Sequence, residues 1–303
     1  MLKTLFLFTI FLSLISPLNY DKNSRKIAKT RIELTKEKQG TFSKKQNAYL
    51  YQSFVLGNKT GLSRKIKDKL KTMGLYHLMT PSGLHYSCLF FFIAVLRRKY
   101  KNRYLAYAEI GVGLLIHTFL PGFYAFKRVA LLNALKVTNT IFLENKLSRL
   151  EVLFSFLIYD IFFGTFRYSK ISFFMSILFI GIFYLRGMSK FYIIFNLFIG
   201  QVMMAYLFGN EVSVMNLILS PLYTMLFSLI YPFLCVNIFF LHIFNYSDLI
   251  ITFLAKLLTL FYQISSLTPY FKVSLITLIC AMLINRKNFL FFISISCLSL
   301  FTS

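Results

Sequence analysis

His77, Ser82 and His85 stand close together in the chain, on either side of Pro81 and Gly83, within the run HLMTPSGLH. Such a group suits two kinds of chemistry. Neutral imidazoles and a hydroxyl can hydrogen-bond phosphate oxygens, or a serine can act as a nucleophile beside a histidine base. Pro81 hinders a helix from running through this point, and Gly83 permits a sharp or close-packed backbone. The plainer role for His77 and His85 is to satisfy buried backbone groups. Four further ionisable residues lie inside apolar blocks: Glu109, Lys136, Asp160 and Lys256. Each costs at least ~2.5 kcal/mol at a bilayer centre, so each must face protein or water. Glu109 and Lys136 fall on successive expected helices and suit an ion pair, whereas an unpaired Lys136 puts positive charge in a pore. No metal or cofactor is expected. Cys88, Cys235, Cys280 and Cys297 stand singly, and the four histidines show no HxH or HxxxH spacing.

The elements that must position these residues follow from composition. The chain is 57% apolar and 18% aromatic, and only 15% of it is charged. A soluble domain of this length needs far more polar surface. The apolar residues form long blocks with most charges between them, as in a chain whose solvent is lipid. The expected fold is therefore all-α: a multi-pass, polytopic helical membrane protein of the cytoplasmic (inner) membrane, with short or re-entrant helices. The blocks fall at 84–95, 105–120, 129–143, 150–166, 171–185 and 191–207, then 212–229, 233–244, 249–267, 273–284 and 289–301. Several are shorter than the roughly 20 residues of a straight span, which is tolerated where protein or water covers the freed backbone.

The chain reads as three parts. Residues 1–18 are an apolar run behind Lys3, either a signal peptide or an N-terminal membrane anchor; the lack of a clean small-residue cleavage site favours the anchor. Residues 19–73 form a basic extracytoplasmic segment. Within it Leu62, Ile66, Leu70 and Met73 recur at helical spacing, while Arg64, Lys65, Lys67, Lys69 and Lys71 occupy the rest of the wheel. This predicts an amphipathic helix lying in the membrane interface, opened by Ser63 and closed by Gly74. Residues 74–303 are the multi-span domain. The dense basic loop 97–103 marks the cytoplasmic side. Counting spans from it puts Lys127, Arg128, Arg167 and Lys170 on the outside, against the usual charge bias. With a net charge of +24, a positive outer face suits polyanion capture, because neutralised phosphates release counterions. Adhesion to anionic membrane lipid accounts for the basic helix equally well.

Residues 56–85 read LGNKTGLSRKIKDKLKTMGLYHLMTPSGLH. This stretch resembles the signature of the ComEC-type competence protein family, an LLGDRSGL-like turn and a helix leading into GLxHLLAISGLH. The positions alike are Leu56, Gly57, Gly61, Leu62, Gly74, Leu75, His77, Leu78, Ser82, Gly83, Leu84 and His85. A second stretch from Pro121, PGFYAFKRVALLNAL, is similar to the family's TGFSPSALRAALMAL, with Gly122, Phe123, Arg128 and Ala130 aligned. Thr80 and Pro81 replace the family's usual Ala–Ile. No HxHxDH occurs, so the resemblance implies the channel domain alone, without a metallo-β-lactamase-like or OB-fold domain.

The resemblance implies a membrane channel for uptake of single-stranded DNA during natural transformation, and not an enzyme. It places His77, Ser82, Gly83, His85, Arg128 and Lys136 on the DNA path. Arg64, Lys65, Lys67, Lys69, Lys71, Lys127, Arg167 and Lys170 are the expected basic outer contacts. With no Walker A sequence or nuclease motif present, the implied partners beyond DNA and lipid are a DNA receptor, a cytoplasmic motor ATPase and a separate nuclease. Two other classes compete. A rhomboid-like intramembrane hydrolase would use Ser82 with His117 or His242, but Thr80 stands where GxSG needs glycine. A small-molecule transporter would favour inverted repeats, and none is evident.

Overall fold

Long apolar blocks favour helices because a helix satisfies its backbone N–H and C=O groups within one segment. The computed structural model describes residues 42–100, 103–120, 123–184, 190–240 and 246–274. Among these residues are ten α-helices: α1 (Lys45–Leu56), α2 (Arg64–Thr72), α3 (Gly83–Tyr100), α4 (Arg103–Phe119), α5 (Tyr124–Ile141), α6 (Arg149–Phe162), α7 (Lys170–Tyr184), α8 (Lys190–Phe208), α9 (Asn216–Phe240) and α10 (Tyr246–Ser265). The fold is all-α, apart from one small antiparallel ribbon of β1 (Glu211–Ser213) and β2 (Tyr270–Lys272), with Val212 opposite Phe271. The expected N-terminal run 1–18, Gly122, His242 and the block 289–301 lie outside the described residues, as does nearly all of 273–284.

The blocks from 84–95 to 191–207 each become one helix, α3 to α8, and 249–267 becomes α10. The blocks 212–229 and 233–244 are corrected to a single helix, α9, which runs through Pro221 and Pro232. Proline removes a backbone donor, yet it is tolerated inside membrane helices. Tyr246 and Tyr51 donate to the carbonyls of Phe233 and Leu234, just beyond Pro232. Among the described residues two helices are long and apolar enough to cross a membrane, Asn216–Val236 within α9 and Tyr246–Ser265.

The described residues divide into two compact units, one within 82–176 and the other made of 42–81 with those from 177 onward. In the first unit α5 is the central helix, packing on α3, α4 and α6. Small residues, Ala106, Gly113, Ala130 and Ala134, line the approach of α4 to α5 and let these helices lie close. Tyr86 stacks on Phe90 at 4.5 Å and meets Phe126 edge-on at 5.4 Å. Before α6, Asn139 clamps the backbone of Leu147 in both directions, at 2.9 and 3.2 Å. A Ser148–Glu151 capping box then starts α6.

The second unit corrects two expectations for segment 19–73. Its residues 45–56 form the buried helix α1, not an open polar stretch. Phe54 packs edge-on against Phe227 at 5.0 Å, and Asn47 donates to both Asp248 (2.7 Å) and Thr252 (2.8 Å). The amphipathic helix exists as α2, but Leu62, Leu70 and Met73 are buried within the protein and Ile66 is half-buried. Most of the apolar stripe that would have entered the headgroup layer is covered by tertiary packing. Asn216 ties its end down by donating to the Thr72 carbonyl at 2.7 Å.

Candidate functional site

The first family-like segment is built from glycine-ended helices. At the end of α2, Gly74 has φ +68°, the Leu75 N–H reaches back to the Leu70 carbonyl (2.7 Å), and the Gly74 N–H to Lys71 (2.9 Å). These two bonds are a Schellman motif, which satisfies carbonyls left open by the helix end and favours glycine. The closing role expected of Gly74 is met. Ser63 stands at the N-cap, but its side chain makes no capping bond. The chain then enters a 3-10 turn, Tyr76–Met79, where His77 Nδ1 lies 3.0 Å from the Gly74 carbonyl oxygen. That contact makes Nδ1 the protonated nitrogen and leaves Nε2 as an acceptor. Desolvation lowers the His77 pKa below the usual imidazole value, against the weaker opposing pull of the Gly74 carbonyl. The ring is neutral at pH 7.

Ser82 opens α3 in the first unit. Its backbone N–H donates to His85 Nδ1 at 3.1 Å, and its Oγ lies 3.0 Å from the same nitrogen. Here a histidine takes the place that glutamate holds in a capping box. The Ser82–His85 distance also matches that of a nucleophile and its base, but Nδ1 is already engaged by the serine's own amide. Both histidines thus serve backbone groups, the plainer of their expected roles. Gly83 lies against α5: a Cβ there would fall 2.4 Å from Val129 Cγ2. Thr80, before Pro81, is extended (φ −138°, ψ 124°), as a residue preceding proline prefers.

The second segment supplies a buried polar network. Arg128 is 0% exposed. It donates to Ser176 Oγ (3.2 Å), Thr165 Oγ1 (2.9 Å) and Ser172 Oγ, and lies 3.9 Å from Asp160. Asp160, also 0% exposed, accepts from the Thr165 N–H at 2.8 Å. Arg128 therefore pins α5 to the turn between α6 and α7. That turn carries Arg167 and Lys170, both exposed, with Arg167 over the Tyr168 ring at 5.3 Å. Lys127, expected on the outer surface, is instead fully buried, within Coulombic reach of Asp160 and His117. His117, also buried, lies 3.1 Å from the Tyr159 hydroxyl.

Of the two alternatives for Glu109 and Lys136, the structure shows no ion pair between them. Glu109 accepts from Arg97 Nε at 2.6 Å and from Asn133 at 2.7 Å. Lys136 is exposed on α5. Of the expected basic contacts on α2, Arg64, Lys65 and Lys71 are exposed and Lys67 and Lys69 half-buried. Lys69 donates to Thr259 Oγ1 at 3.1 Å, and Lys71 lies 5.6 Å from the centre of the Tyr76 ring. The unit division puts Ser82, Gly83, His85, Arg128 and Lys136 in the first unit, and His77 with the basic helix in the second.

Arg97, Asn133, Thr165, Ser172 and Ser176 were not legible as site residues. Thr165, Ser172 and Ser176 are common hydroxyl residues around an apolar block. Only their convergence on a buried guanidinium marks them. Asn133, one turn before Val137 on the buried face of α5, carried a weak signal: a polar residue within an apolar block needs a partner.

No curated protein matches the chain. No solved structure matches it either. The family model described as Competence protein matches residues 54–296, a stretch that takes in both motif segments and α2 through α10. The chain is a member of the Competence protein family.

Proposed function

We propose that this protein is a multi-pass channel of the bacterial cytoplasmic membrane that carries single-stranded DNA into the cell during natural transformation. The family match over residues 54–296 carries this reading. Surface chemistry supports the membrane part. On α9, Ile218, Leu222, Met225, Leu229, Phe233 and Val236 are between 43% and 64% exposed and follow one another at three- and four-residue spacing. An apolar stripe along the whole face of a helix suits lipid and not water. At 1.5 Å per residue, α9 is roughly 37 Å long, more than the ~30 Å hydrocarbon layer needs.

In this reading the exposed cations Lys136, Arg167 and Lys170, with Arg64, Lys65 and Lys71 on α2, meet the strand directly. His77, Ser82, Gly83, His85, Lys127 and Arg128 hold the helices and turns that present them. Energy comes from outside the chain, through a cytoplasmic motor ATPase, with a receptor delivering DNA and a separate nuclease producing the single strand. Deletion of the gene should abolish transformation by naked DNA, and supplying the gene in trans should restore it. An unchanged transformation frequency in the deletion strain would remove this reading.

A further inference from the structure

We infer that the groove between α1 and α10 is a contact site for the sugar–phosphate backbone of single-stranded nucleic acid; this rests on the channel reading above. The groove, about 360 Å³, is lined by Lys44, Asn47, Thr252, Lys256, Thr259 and Gln263 among others. No motif marks it. Lys256 stood out in the sequence only as a charge inside an apolar block.

Thr252, Lys256, Thr259 and Gln263 follow one another at spacings of four, three and four, so they share one face of α10. At 1.5 Å per residue the stripe runs roughly 16 Å along the axis. The other faces of α10 are apolar. Ile251, Leu254, Leu258 and Phe261 are buried, while Leu249, Phe253 and Leu260 are exposed beside the stripe. A polar line on a helix apolar enough to cross a membrane is expensive unless it meets protein or water. Among the described residues it lies open: Lys44, Lys256 and Gln263 are exposed. A third cation borders it, since Lys69 donates to Thr259 Oγ1 at 3.1 Å. Asp248, the carboxylate on this face, is occupied by Asn47 at 2.7 Å and by the Ser43 hydroxyl.

Cations interleaved with hydroxyl and amide groups recognise phosphate and ribose-like oxygens without reading bases. The axial run of the stripe favours a polymer over a lipid. A headgroup phosphate lies at one end of a spanning helix, whereas a passing strand meets Lys44, Lys256 and the residues between them. At the ~3.4 Å stacked rise per nucleotide, roughly four or five nucleotides fit along it.

The test uses the full-length protein in neutral-lipid nanodiscs, with a fluorescent oligothymidine titrated at several salt concentrations. Lys44→Gln with Lys256→Gln should flatten the log affinity–log salt slope by about 1.4, at ~0.7 per lost contact with a single strand. Lys44→Arg with Lys256→Arg should preserve it. A slope indifferent to the glutamine pair, in protein that melts like the wild type, overturns the groove. So does an effect seen only after anionic lipid is added, which identifies a headgroup site. If the glutamine pair does not fold, 4-thiothymidine crosslinking of the wild type decides: adducts on α10 support the groove, and adducts confined to other helices overturn it. Failure of the channel reading looks different, because the wild type then binds no oligothymidine and the deletion strain still transforms.

Discussion

Arg128 and Asp160 lie 3.9 Å apart with both side chains fully buried, and Thr165 joins them. Its hydroxyl accepts from Arg128 at 2.9 Å and donates to Asp160 at 3.0 Å. A buried pair of this kind contributes little net stability, but removing one partner leaves an uncompensated charge. The pair also holds the turn that exposes Arg167 and Lys170. Arg128 can therefore matter to uptake without touching DNA.

Asp160→Leu or Arg128→Met alone should destabilise the protein by about 3–5 kcal/mol, and the two together by much less than the sum. Denaturant or thermal unfolding of the four proteins in detergent closes this cycle. If Arg128 is a positioning residue, transformation frequency should fall in each single variant and recover in the double variant as its stability returns. A double variant that is stable but does not transform would assign Arg128 to the strand itself.

Glu109 and Lys136 should respond in opposite ways. Glu109→Gln weakens charge-assisted bonds to Arg97 and Asn133 and should cost about 1.5–3 kcal/mol. Lys136→Gln changes an exposed residue and should leave stability within about 0.5 kcal/mol. The same Lys136 variant should transform several-fold less often. Equal transformation by Lys136→Gln and wild type would take this residue off the DNA path.

Gly83→Ala should cost about 1–3 kcal/mol, because the new methyl falls on Val129 Cγ2. Val129→Ala, introduced alongside, should recover most of that loss. A melting temperature unmoved by Gly83→Ala would show that α3 and α5 part without cost.

The orientation has its own check, in protein whose native cysteines have been replaced. A membrane-impermeant thiol reagent, applied to cells with a permeabilised outer envelope, should label Lys44→Cys and spare Lys99→Cys. Labelling in the reverse sense inverts the topology.

Much of the helical layout was readable because helices and their ends are local. The blocks that became α3 to α8 and α10 are long enough to be recognised one by one, and Gly74 sits where the periodicity of α2 stops. Two misreadings have a common cause. The polar residues of α1, Asn47, Gln52 and Ser53, disguise a buried helix, because the partners of Asn47, Asp248 and Thr252, lie far away in sequence. The break at Pro232 suggests two helices where there is one, because the groups that meet α9 there, the Tyr51 and Tyr246 hydroxyls, come from other helices.

The amino-acid order by itself determined the helical class, most of the breaks between helices, the glycine-ended turn before His77 and the two segments that mark the family. All of these rest on spacing along one stretch of chain, where each residue's neighbours are known. The tertiary structure alone decided which charges meet. Arg97, not Lys136, took Glu109; Lys127 went inside while Lys256 stayed out; and the apolar stripe of α2 closed on protein. Ion pairs and hydrogen bonds form between side chains carried by different helices. Their geometry depends on how those helices rotate and approach, which linear spacing does not encode.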